Sequence, residues 1–401
     1  MRIGNQEIGL NHPPYIIAEI GVNHDGDVNR ALELTDAAAE AGADAIKLQF
    51  FETDRLMSKA AKLAAYQKTA GETDPIEMLR RLELTIEEMA LVVDRAHAKG
   101  IHAIVTVFST ELVPIAETLP WDAYKTASPD IINYPLIEAL IVTGKPLIVS
   151  TGASTMDEVI QAVDWLDSAR DRLAILQCVS SYPAPTHELG GIRLIFDTTE
   201  IPTGYSDHTT SHRTGNTAVV AGACILEKHI TDDRNRTGPD HRASLLTSQF
   251  EAYVNMCRMA ISGRGMFRRL VDKVIELQSS KSNNYPSPTF SAMMKIGKKE
   301  VDKELGADAV ACVKESFPIK RVLDCEQDVR LVARQSVVST QPIPAGTTIT
   351  RDMLTIKRPG TGILAFNIEA VVGCTTSQPI EADVPINAED LVQFEPSMAI
   401  R

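Results

Sequence analysis

The strongest constraint on the fold is an alternation of short β-branched runs with amphipathic helical stretches, which continues from Tyr15 to about residue 264. Strands separated by helices are typical of an α/β fold with a parallel sheet. The predicted strands are Ile16–Ile20, Ala45–Phe50, Ala103–Val107, Tyr124–Thr126, Leu147–Ser150, Leu173–Cys178, Thr203–Tyr205 and Cys224–Lys228. Eight repeats in about 250 residues predict a (β/α)8 TIM barrel. The alternative, a doubly wound open sheet, is disfavoured because no GxGxxG motif follows the first run.

Local signals mark where several of the intervening helices begin and end. The pairs Thr85/Glu88 and Thr155/Glu158 have the spacing of capping boxes, which start helices. Gly42 and Gly100 follow helical stretches and predict left-handed helix ends.

The remainder of the chain has a different texture. Residues 265–331 break the βα rhythm, and Ser279–Pro288 is rich in Ser, Asn and Pro, which predicts a solvated linker or capping insertion. From residue 332 the chain has short strands and turns, which predict a small β-rich domain docked on the larger body. The predicted organisation is a catalytic barrel at 1–264, a connecting insertion at 265–331 and a β-rich domain at 332–401.

Composition excludes several classes of function. The net charge is −13 and aromatic residues make up 5% of the chain, so a nucleic acid partner is not expected. No apolar run approaches the roughly 18–20 residues of a membrane span, and we expect a cytoplasmic protein without a membrane partner. The six cysteines are scattered without a CxxC pair, which favours reduced structural thiols.

Polar residues fall at or just beyond the end of every predicted strand. Because the C-terminal ends of barrel strands share one rim, these side chains are expected to face a common pocket. In chain order they are Glu19, Lys47, Gln49, Thr106, Lys125, Ser128, Ser150, Ser180, Tyr182, Ser206, Asp207, His208, Glu227 and His229. A rim on which every strand end carries a polar side chain predicts a functional site.

Two histidines follow consecutive predicted strands. His208 and His229 can converge on one divalent ion and leave positions open for water and substrate oxygens. Each can instead be a structural residue satisfied by hydrogen bonds, and the residues alone leave both interpretations open.

The two rim lysines have three possible roles. Lys47 and Lys125 can act as Schiff-base nucleophiles, as cations whose aliphatic side-chain atoms are buried, or as anion binders. The four serines on the same rim favour binding of a phosphate or carboxylate by ammonium and hydroxyl donors. Lys228 lies between Glu227 and His229, so in a strand it points away from the site.

Longer motifs allow comparison with a known family. They are Ala18–Gly26 (AEIGVNHDG), Ala41–Gln49 (AGADAIKLQ), Gly204–Thr209 (GYSDHT), Glu227–His229 with Gly238–His241 (EKH and GPDH), and Lys357–Gly362 (KRPGTG). Together they closely resemble the sialic acid (N-acetylneuraminate) synthase family, which includes legionaminic and pseudaminic acid synthases. The C-terminal piece resembles that family's antifreeze-like (SAF) domain.

The resemblance implies a transferase that condenses phosphoenolpyruvate with an N-acetylated hexosamine aldehyde. The product is a nine-carbon nonulosonic acid, and phosphate leaves by C–O cleavage. The acceptor, N-acetylmannosamine or a diacetamido-trideoxyhexose, is left open.

The resemblance also implies roles for individual residues. It assigns His208 and His229 to a divalent metal, manganese with magnesium or cobalt as alternatives. It assigns phosphoenolpyruvate to Lys47, Lys125, Ser128, Ser150 and Ser206, with Ser180 near the phosphate and Thr106 as a further site residue. The catalytic candidates are Glu19, Glu227 and Asp240, and Tyr182 lies near the sugar. Arg358 would reach over the barrel of the other subunit towards the N-acetyl group, which implies a domain-swapped homodimer.

Two other functions remain as alternatives. One is a metal-independent aldolase in which Lys125 or Lys47 forms a Schiff base with pyruvate. The other is a non-catalytic carbohydrate-binding protein that has kept the barrel and the C-terminal domain.

Overall fold

The computed structural model describes residues 1–261 and 320–396 of the chain. Most of the predicted connecting insertion, including Ser279–Pro288, lies outside the described residues, as does Cys312. No disulfide joins the cysteines of the described ranges.

All eight predicted barrel strands form, and the last two run further than the sequence indicates. The described strands are β1 (Arg2–Ile3), β2 (Gln6–Glu7), β3 (Tyr15–Gly21), β4 (Ala45–Phe50), β5 (His102–Val107), β6 (Ala123–Thr126), β7 (Leu147–Ser150), β8 (Leu173–Cys178), β9 (Thr203–Asp207), β10 (Ile225–Thr231), β11 (Leu245–Leu246), β12 (Ser336–Ser339) and β13 (Leu354–Lys357).

Helices alternate with these strands. The described α-helices are α1 (Val28–Glu40), α2 (Thr53–Leu56), α3 (Ala65–Thr69), α4 (Pro75–Arg80), α5 (Ile86–Ala98), α6 (Val113–Ala116), α7 (Tyr134–Val142), α8 (Met156–Trp165), α9 (Gly190–Thr199), α10 (Thr214–Val220), α11 (Thr247–Met259), α12 (Gln327–Ala333) and α13 (Ile368–Val371). Within the two described ranges, no helix combines the length and the apolar character that crossing a membrane requires.

The predicted helix ends are confirmed. Thr85 accepts from the backbone N–H of Glu88 while the Glu88 side chain accepts from Thr85, and the α8 pair repeats this arrangement. Gly42 and Gly100 have φ angles of +84° and +76°, which any residue with a Cβ adopts only with strain.

The strands β3 to β10 close into a parallel barrel. Each strand pairs with its sequence neighbour, and β10 also pairs with β3, so the sheet has no open edge between the first and last strands. The predicted (β/α)8 TIM barrel is therefore confirmed, and the doubly wound sheet is excluded.

Side-chain alternation divides the barrel interior into two layers. Residues two apart on a strand point to the same side, so the inward series on β3 runs from Ile17 to Glu19 and that on β10 from Ile225 to Glu227. The lower layer is apolar, and the upper layer at the C-terminal strand ends is polar. Comparable inward pairs are Ala45 and Lys47, Ile104 and Thr106, Ala123 and Lys125, and Ile148 and Ser150.

An N-terminal hairpin closes the lower end of the barrel. β1 and β2 are antiparallel, and Ile3 and Ile8 pack into the apolar layer together with Tyr15. The turn lies so close to the start of β5 that a Cβ on Gly4 would be 2.4 Å from His102 Nε2. The polar upper end is therefore where a ligand can enter.

The C-terminal domain has its own small apolar core, which includes Val337, Ile349 and Ile386. It docks over the upper end of the barrel of the same chain. The Arg358 N–H donates to Leu56 O at 2.9 Å, and the Ser58 N–H donates to Arg358 O at 3.0 Å.

Residues 320–334 dock on the barrel through buried charged side chains. Most of these residues belong to the predicted connecting insertion. Glu158 at the start of α8 is 3% exposed and receives bidentate hydrogen bonds from both Arg330 and Arg334 at 2.7–2.9 Å. Burial alone would raise the pKa of Glu158, but the hydrogen bonds from Arg334 and Arg330 outweigh it and lower the pKa to about 2.

We expect Glu158→Gln to lower the free energy of unfolding at pH 7 by about 3–5 kcal/mol, because two arginines lose a buried counter-charge. The folded pKa lies below the ordinary value, so this stabilisation is present above about pH 4.5 and is lost as the pH falls towards 2. Urea denaturation from pH 7 to pH 3 measures both effects.

Glu369→Gln is the matched control, since its partner Arg351 and the Glu369 side chain are 51% and 73% exposed. We expect a change within about 0.5 kcal/mol for this variant. Equal stability of wild type and Glu158→Gln at pH 7 would contradict the role assigned to the ion pairs of Glu158 with Arg330 and Arg334.

Candidate active site

One pocket at the upper end of the barrel contains every residue to which a catalytic, substrate-binding or metal-binding role is assigned above. Its walls include all fourteen of them: Glu19, Lys47, Thr106, Lys125, Ser128, Ser150, Ser180, Tyr182, Ser206, His208, Glu227, His229, Asp240 and Arg358. The strand ends supply the floor, while the connection between β4 and α5 and the C-terminal domain cover it.

Glu19 and Lys47 form an ion pair across neighbouring strands. They face each other in the β3–β4 register, and Lys47 Nζ lies 2.5 Å from Glu19 Oε2. Lys47 also donates to Thr106 Oγ1 at 3.0 Å, and Gln49 donates to Glu19 at 3.1 Å. Burial raises the pKa of Glu19 despite the lysine. Burial opposes the charge of Lys47, but Glu19 and Glu227 outweigh it and raise the Lys47 pKa.

Glu227 lies between both lysines. Its carboxylate is 3.4 Å from Lys125 Nζ and 3.9 Å from Lys47 Nζ, and it accepts a hydrogen bond from Ser206 Oγ at 2.7 Å. Burial alone would raise the pKa of Glu227, but Lys125 and then Lys47 outweigh it and lower the pKa. The pKa values of Glu19 and Glu227 therefore move in opposite directions, which is typical of carboxylates with different proton roles.

Hydroxyl groups converge beside Lys125. A Cβ on Gly152 would be 2.2 Å from Ser180 Oγ and 2.9 Å from Ser128 Oγ, so only glycine fits between these serines. The Gly152 N–H donates to Ser128 Oγ at 3.0 Å. Ser150 Oγ is buried and has no hydrogen-bond partner among the described residues. A small anion can accept from these hydroxyls and from Lys125.

The two histidines lie side by side, with ring centroids 5.6 Å apart. His208 Nδ1 is 2.8 Å from Val179 O, so Nδ1–H donates there and Nε2 carries the lone pair. Ser206 Oγ is 3.4 Å from this Nε2 but donates its hydrogen to Glu227. Nδ1 of His229 is buried without a hydrogen-bond partner in the described chain and lies 3.9 Å from Asp240 Oδ2. Burial lowers the pKa of both rings, which keeps them neutral.

This donor set fits a divalent cation. Neutral imidazoles are ordinary ligands for manganese and similar ions, and Asp240 lies next to His229 as a neighbouring carboxyl group. Within the described residues, no cluster of three or more His, Cys, Asp or Glu forms a complete set of ligands. Two imidazoles would thus leave coordination positions for other oxygens.

Arg358 enters the pocket from the C-terminal domain of the same chain. Its guanidinium lies over the Phe108 ring, 5.4 Å from the centroid, and its Nε has no hydrogen-bond partner among the described residues. The resemblance implies that this arginine reaches into the partner subunit, whereas in the single chain it completes its own pocket. Exchange of the domain between subunits stays a prediction.

Several pocket residues have no clear signal in the sequence. Tyr66 packs on Tyr182 with ring centroids 4.9 Å apart, and Gln67 lies next to it. Both belong to the connection between β4 and α5, which is longer than an ordinary βα loop. That length is the one feature that could have indicated a cover over the site.

Lys228 lies outside the pocket, as the alternation predicts. Its Nζ is 3.1 Å from Asp207 Oδ1 and also donates to Thr209 O behind the barrel wall. The expectation that Asp207 faces the common pocket is therefore wrong, because Asp207 alternates on β9 with Ser206, which points inward. The ammonium is also 5.9 Å from the centroid of the Tyr253 ring.

Comparison with known proteins agrees with this arrangement. Residues 34–268 match the NeuB family, and residues 334–392 match the SAF domain. The chain belongs to the NeuB family. The resemblance drawn from the motifs is thereby confirmed, and the chain is an enzyme of the sialic acid synthase type.

Individual relatives extend over most of the chain. It is 31% identical to the N,N'-diacetyllegionaminic acid synthase of Legionella pneumophila, with 92% of each chain covered. It is 29% identical to the N-acetylneuraminate-9-phosphate synthase of Mus musculus, with 87% of this chain and 84% of the relative covered. The crystal structure of spore coat polysaccharide biosynthesis protein SpsE from Bacillus subtilis superimposes with a TM-score of 0.74 at 25% identity and covers 98% and 99% of the two chains.

We expect Lys47→Met to destabilise the protein by about 3–5 kcal/mol at pH 8, since it leaves Glu19 and Glu227 buried near a single remaining ammonium. Loss of the cation raises the Glu19 pKa further, so Glu19 binds a proton more readily when folded than when unfolded. The defect should therefore shrink as the pH falls to 5. Chemical denaturation at both pH values measures it.

The double variant Glu19→Gln/Lys47→Met should recover part of the lost stability. Lys59→Met is the control, because its side chain is 48% exposed and pairs with the exposed Glu381. A defect in Lys47→Met that is as large at pH 5 as at pH 8 would contradict the charge argument.

Proposed function

We propose that the protein condenses phosphoenolpyruvate with an N-acetylated hexose aldehyde and forms a nonulosonic acid and phosphate. In this reaction C3 of phosphoenolpyruvate bonds to the aldehyde carbon, water adds to C2, and the C2–O bond to phosphate breaks. The observation that carries the proposal is a set of ammonium and hydroxyl donors in the same pocket as two neutral imidazoles. This set, here called the cradle, consists of Lys47, Lys125, Ser128, Ser150 and Ser180.

The cradle suits phosphoenolpyruvate because its donors match an anion with two charged ends. Lys125 with Ser128, Ser150 and Ser180 would bind the phosphate, and Lys47 would bind the carboxylate. A charge-assisted hydrogen bond contributes about 1.5–3 kcal/mol in such a site. Product phosphate would leave from the same donors.

His208 and His229 would hold a divalent cation, manganese with magnesium or cobalt as alternatives. When bound, such an ion supplies Lewis-acid polarisation of a carbonyl oxygen. The lowered pKa of both rings supports this assignment, as does Nδ1 of His229, which has no hydrogen-bond partner among the residues that the structure describes.

The carboxylates have separate proposed tasks. Glu227 is held ionised by two lysines, so it would stabilise positive character at C2 and accept a proton from the attacking water at its carboxylate oxygen. Burial raises the pKa of Asp240, which would allow this carboxyl group to carry a proton to the sugar oxygen. Glu19 would orient Lys47.

The apolar part of the pocket wall supports a choice of acceptor. Its buried side chains are Val22, Phe51, Leu56, Met78, Leu79 and Phe108. A sugar hydroxyl without a partner there would lose about 1–3 kcal/mol, whereas a methyl group would gain by burial. We propose that the acceptor is a diacetamido-trideoxyhexose whose terminal carbon is a methyl group.

A sugar phosphate fits this wall poorly. Among the described lining residues the cationic side chains are Lys47 and Lys125 at the cradle and Arg358. Arg358 lies over Phe108 and would contact an acetamido group, so the apolar wall offers no further cation to a second phosphate.

We expect phosphate release from phosphoenolpyruvate only when an acceptor is present. The kcat/KM for a 2,4-diacetamido-2,4,6-trideoxyhexose should exceed that for N-acetylmannosamine by about 10–100-fold, and N-acetylmannosamine 6-phosphate should be the poorest acceptor. A continuous phosphate assay with each aldehyde in turn measures this order.

The alternatives give different results in the same assay. Borohydride with pyruvate should leave the activity intact, because the proposed reaction has no Schiff base. A pyruvate adduct on Lys125, whose pKa is lowered by burial, would instead support the aldolase. Absence of phosphate release with all three aldehydes would support the carbohydrate-binding alternative.

We expect one high-affinity Mn²⁺ site per chain and at least about a hundredfold weaker binding in His229→Ala, because one of two imidazole ligands is lost. Electron paramagnetic resonance of free Mn²⁺ measures the binding directly. The control is His212→Ala, since His212 is exposed near the same rim and should not change the affinity. Equal Mn²⁺ binding in wild type and His229→Ala would remove this histidine from the metal site.

A further inference from the structure

A buried carboxylate from residues 320–396, here called the C-terminal segment, holds two loops of the barrel. Glu326 is 1% exposed, and its Oε1 accepts from the N–H of Ala153 and from the N–H of Ser180, both at 2.7 Å. Its Oε2 accepts from the N–H of Leu323 at 3.0 Å. Ala153 belongs to the β7 loop (residues 151–155), and Ser180 belongs to the β8 loop (residues 179–184). One side chain therefore fixes the distance between these loops.

The same segment also holds the other side of Ala153. The Ala153 carbonyl accepts from Arg330 Nη1 at 2.6 Å and from Arg334 Nη2 at 3.3 Å. Ala153 has a φ of +51°, a left-handed conformation that is strained for a residue with a Cβ. Such a backbone persists only where its surroundings hold it, and here both its N–H and its C=O are held by the C-terminal segment.

These two loops contact the hydroxyls of the anion cradle. Ser150 immediately precedes the β7 loop, Gly152 lies within it, and Ser180 is itself one of the two residues bound by Glu326. A Cβ on Gly152 would be 2.2 Å from Ser180 Oγ, so a small change in the loop spacing alters the position of that hydroxyl. The lining of the pocket includes Ser180 but not Glu326.

We propose that Glu326 is a positioning residue for the phosphate end of phosphoenolpyruvate. It acts through the Ala153 and Ser180 amides and sets the spacing of the β7 and β8 loops, so that docking of the C-terminal segment forms the cradle. The inference rests on the proposed function, because it identifies the cradle as the phosphate seat. If Glu326 had a purely structural role, its substitution would instead weaken the binding of both substrates equally.

Three substitutions of Glu326 test the inference in the full-length protein. Glu326→Ala removes both acceptors and should raise the KM for phosphoenolpyruvate at least about tenfold, with less than about threefold change in the KM for the aldehyde. Glu326→Asp keeps the charge but shortens the reach by one methylene, so it should give an intermediate increase. Glu326→Gln keeps one carbonyl oxygen that can accept both N–H groups, so it should restore most of the affinity.

Titration calorimetry with phosphoenolpyruvate alone, without aldehyde, gives the second readout. Its dissociation constant should follow the same order: alanine weakest, then aspartate, then glutamine and wild type. Glu381→Gln is the matched control, because Glu381 also joins the two domains, through Lys59 at 2.8 Å, but lies away from the cradle and is 79% exposed. We expect that variant to have the wild-type KM values and the wild-type dissociation constant for phosphoenolpyruvate.

Two results would overturn the inference while the proposed function stands. One is unchanged phosphoenolpyruvate affinity in Glu326→Asp and Glu326→Ala. The other is an equal rise of both KM values. If Glu326→Ala does not fold, the comparison of Glu326→Asp with Glu326→Gln decides, since an equal affinity for phosphoenolpyruvate in both would exclude the spacing argument. A wild-type protein that neither binds nor consumes phosphoenolpyruvate would overturn the proposed function and this inference together.

Discussion

Two buried ammonium groups balanced against two buried carboxylates are the interaction on which the upper end of the barrel depends. Lys47 Nζ lies 2.5 Å from the Glu19 carboxylate and 3.9 Å from that of Glu227, and Lys125 Nζ lies 3.4 Å from Glu227. None of the four could be buried alone at acceptable cost. The closed barrel brings them together because inward positions of neighbouring strands meet in one layer. This charge balance lets the pocket present cations to an anionic substrate and still remain folded.

Docking of the C-terminal segment turns this rim into a closed pocket. Arg358 contributes the side chain that lies over Phe108, and Glu326 and Arg330 hold the β7 loop from behind. The barrel thus supplies the charged groups, while the C-terminal segment supplies their cover and part of their spacing. A barrel without this segment would keep its lysines but would lose the contacts that hold Ala153 in its left-handed conformation.

Sequence alone predicts the parts that follow from periodicity. The eight strands, the outward direction of Lys228 and the convergence of Glu19, Lys47 and Glu227 all follow from alternation along a barrel strand. Tyr66 and Glu326 could not be found in this way, because each reaches the site through contacts between segments distant in the chain. The motif containing Arg358 indicates its importance, but a motif does not say which chain's barrel the arginine covers.

The hairpin that seals the lower end of the barrel has a kinetic consequence. With Ile3 and Ile8 packed beneath the apolar layer, both reactants must use the same upper mouth. Lys125 lies on a barrel strand, whereas Phe51 and Met78 belong to the connection between β4 and α5 that covers the pocket. A ligand on Lys125 would therefore lie beneath one that contacts Phe51 and Met78. Under the proposed function, this arrangement would impose an order of binding in which the ligand on Lys125 enters first and the phosphate formed from it leaves last.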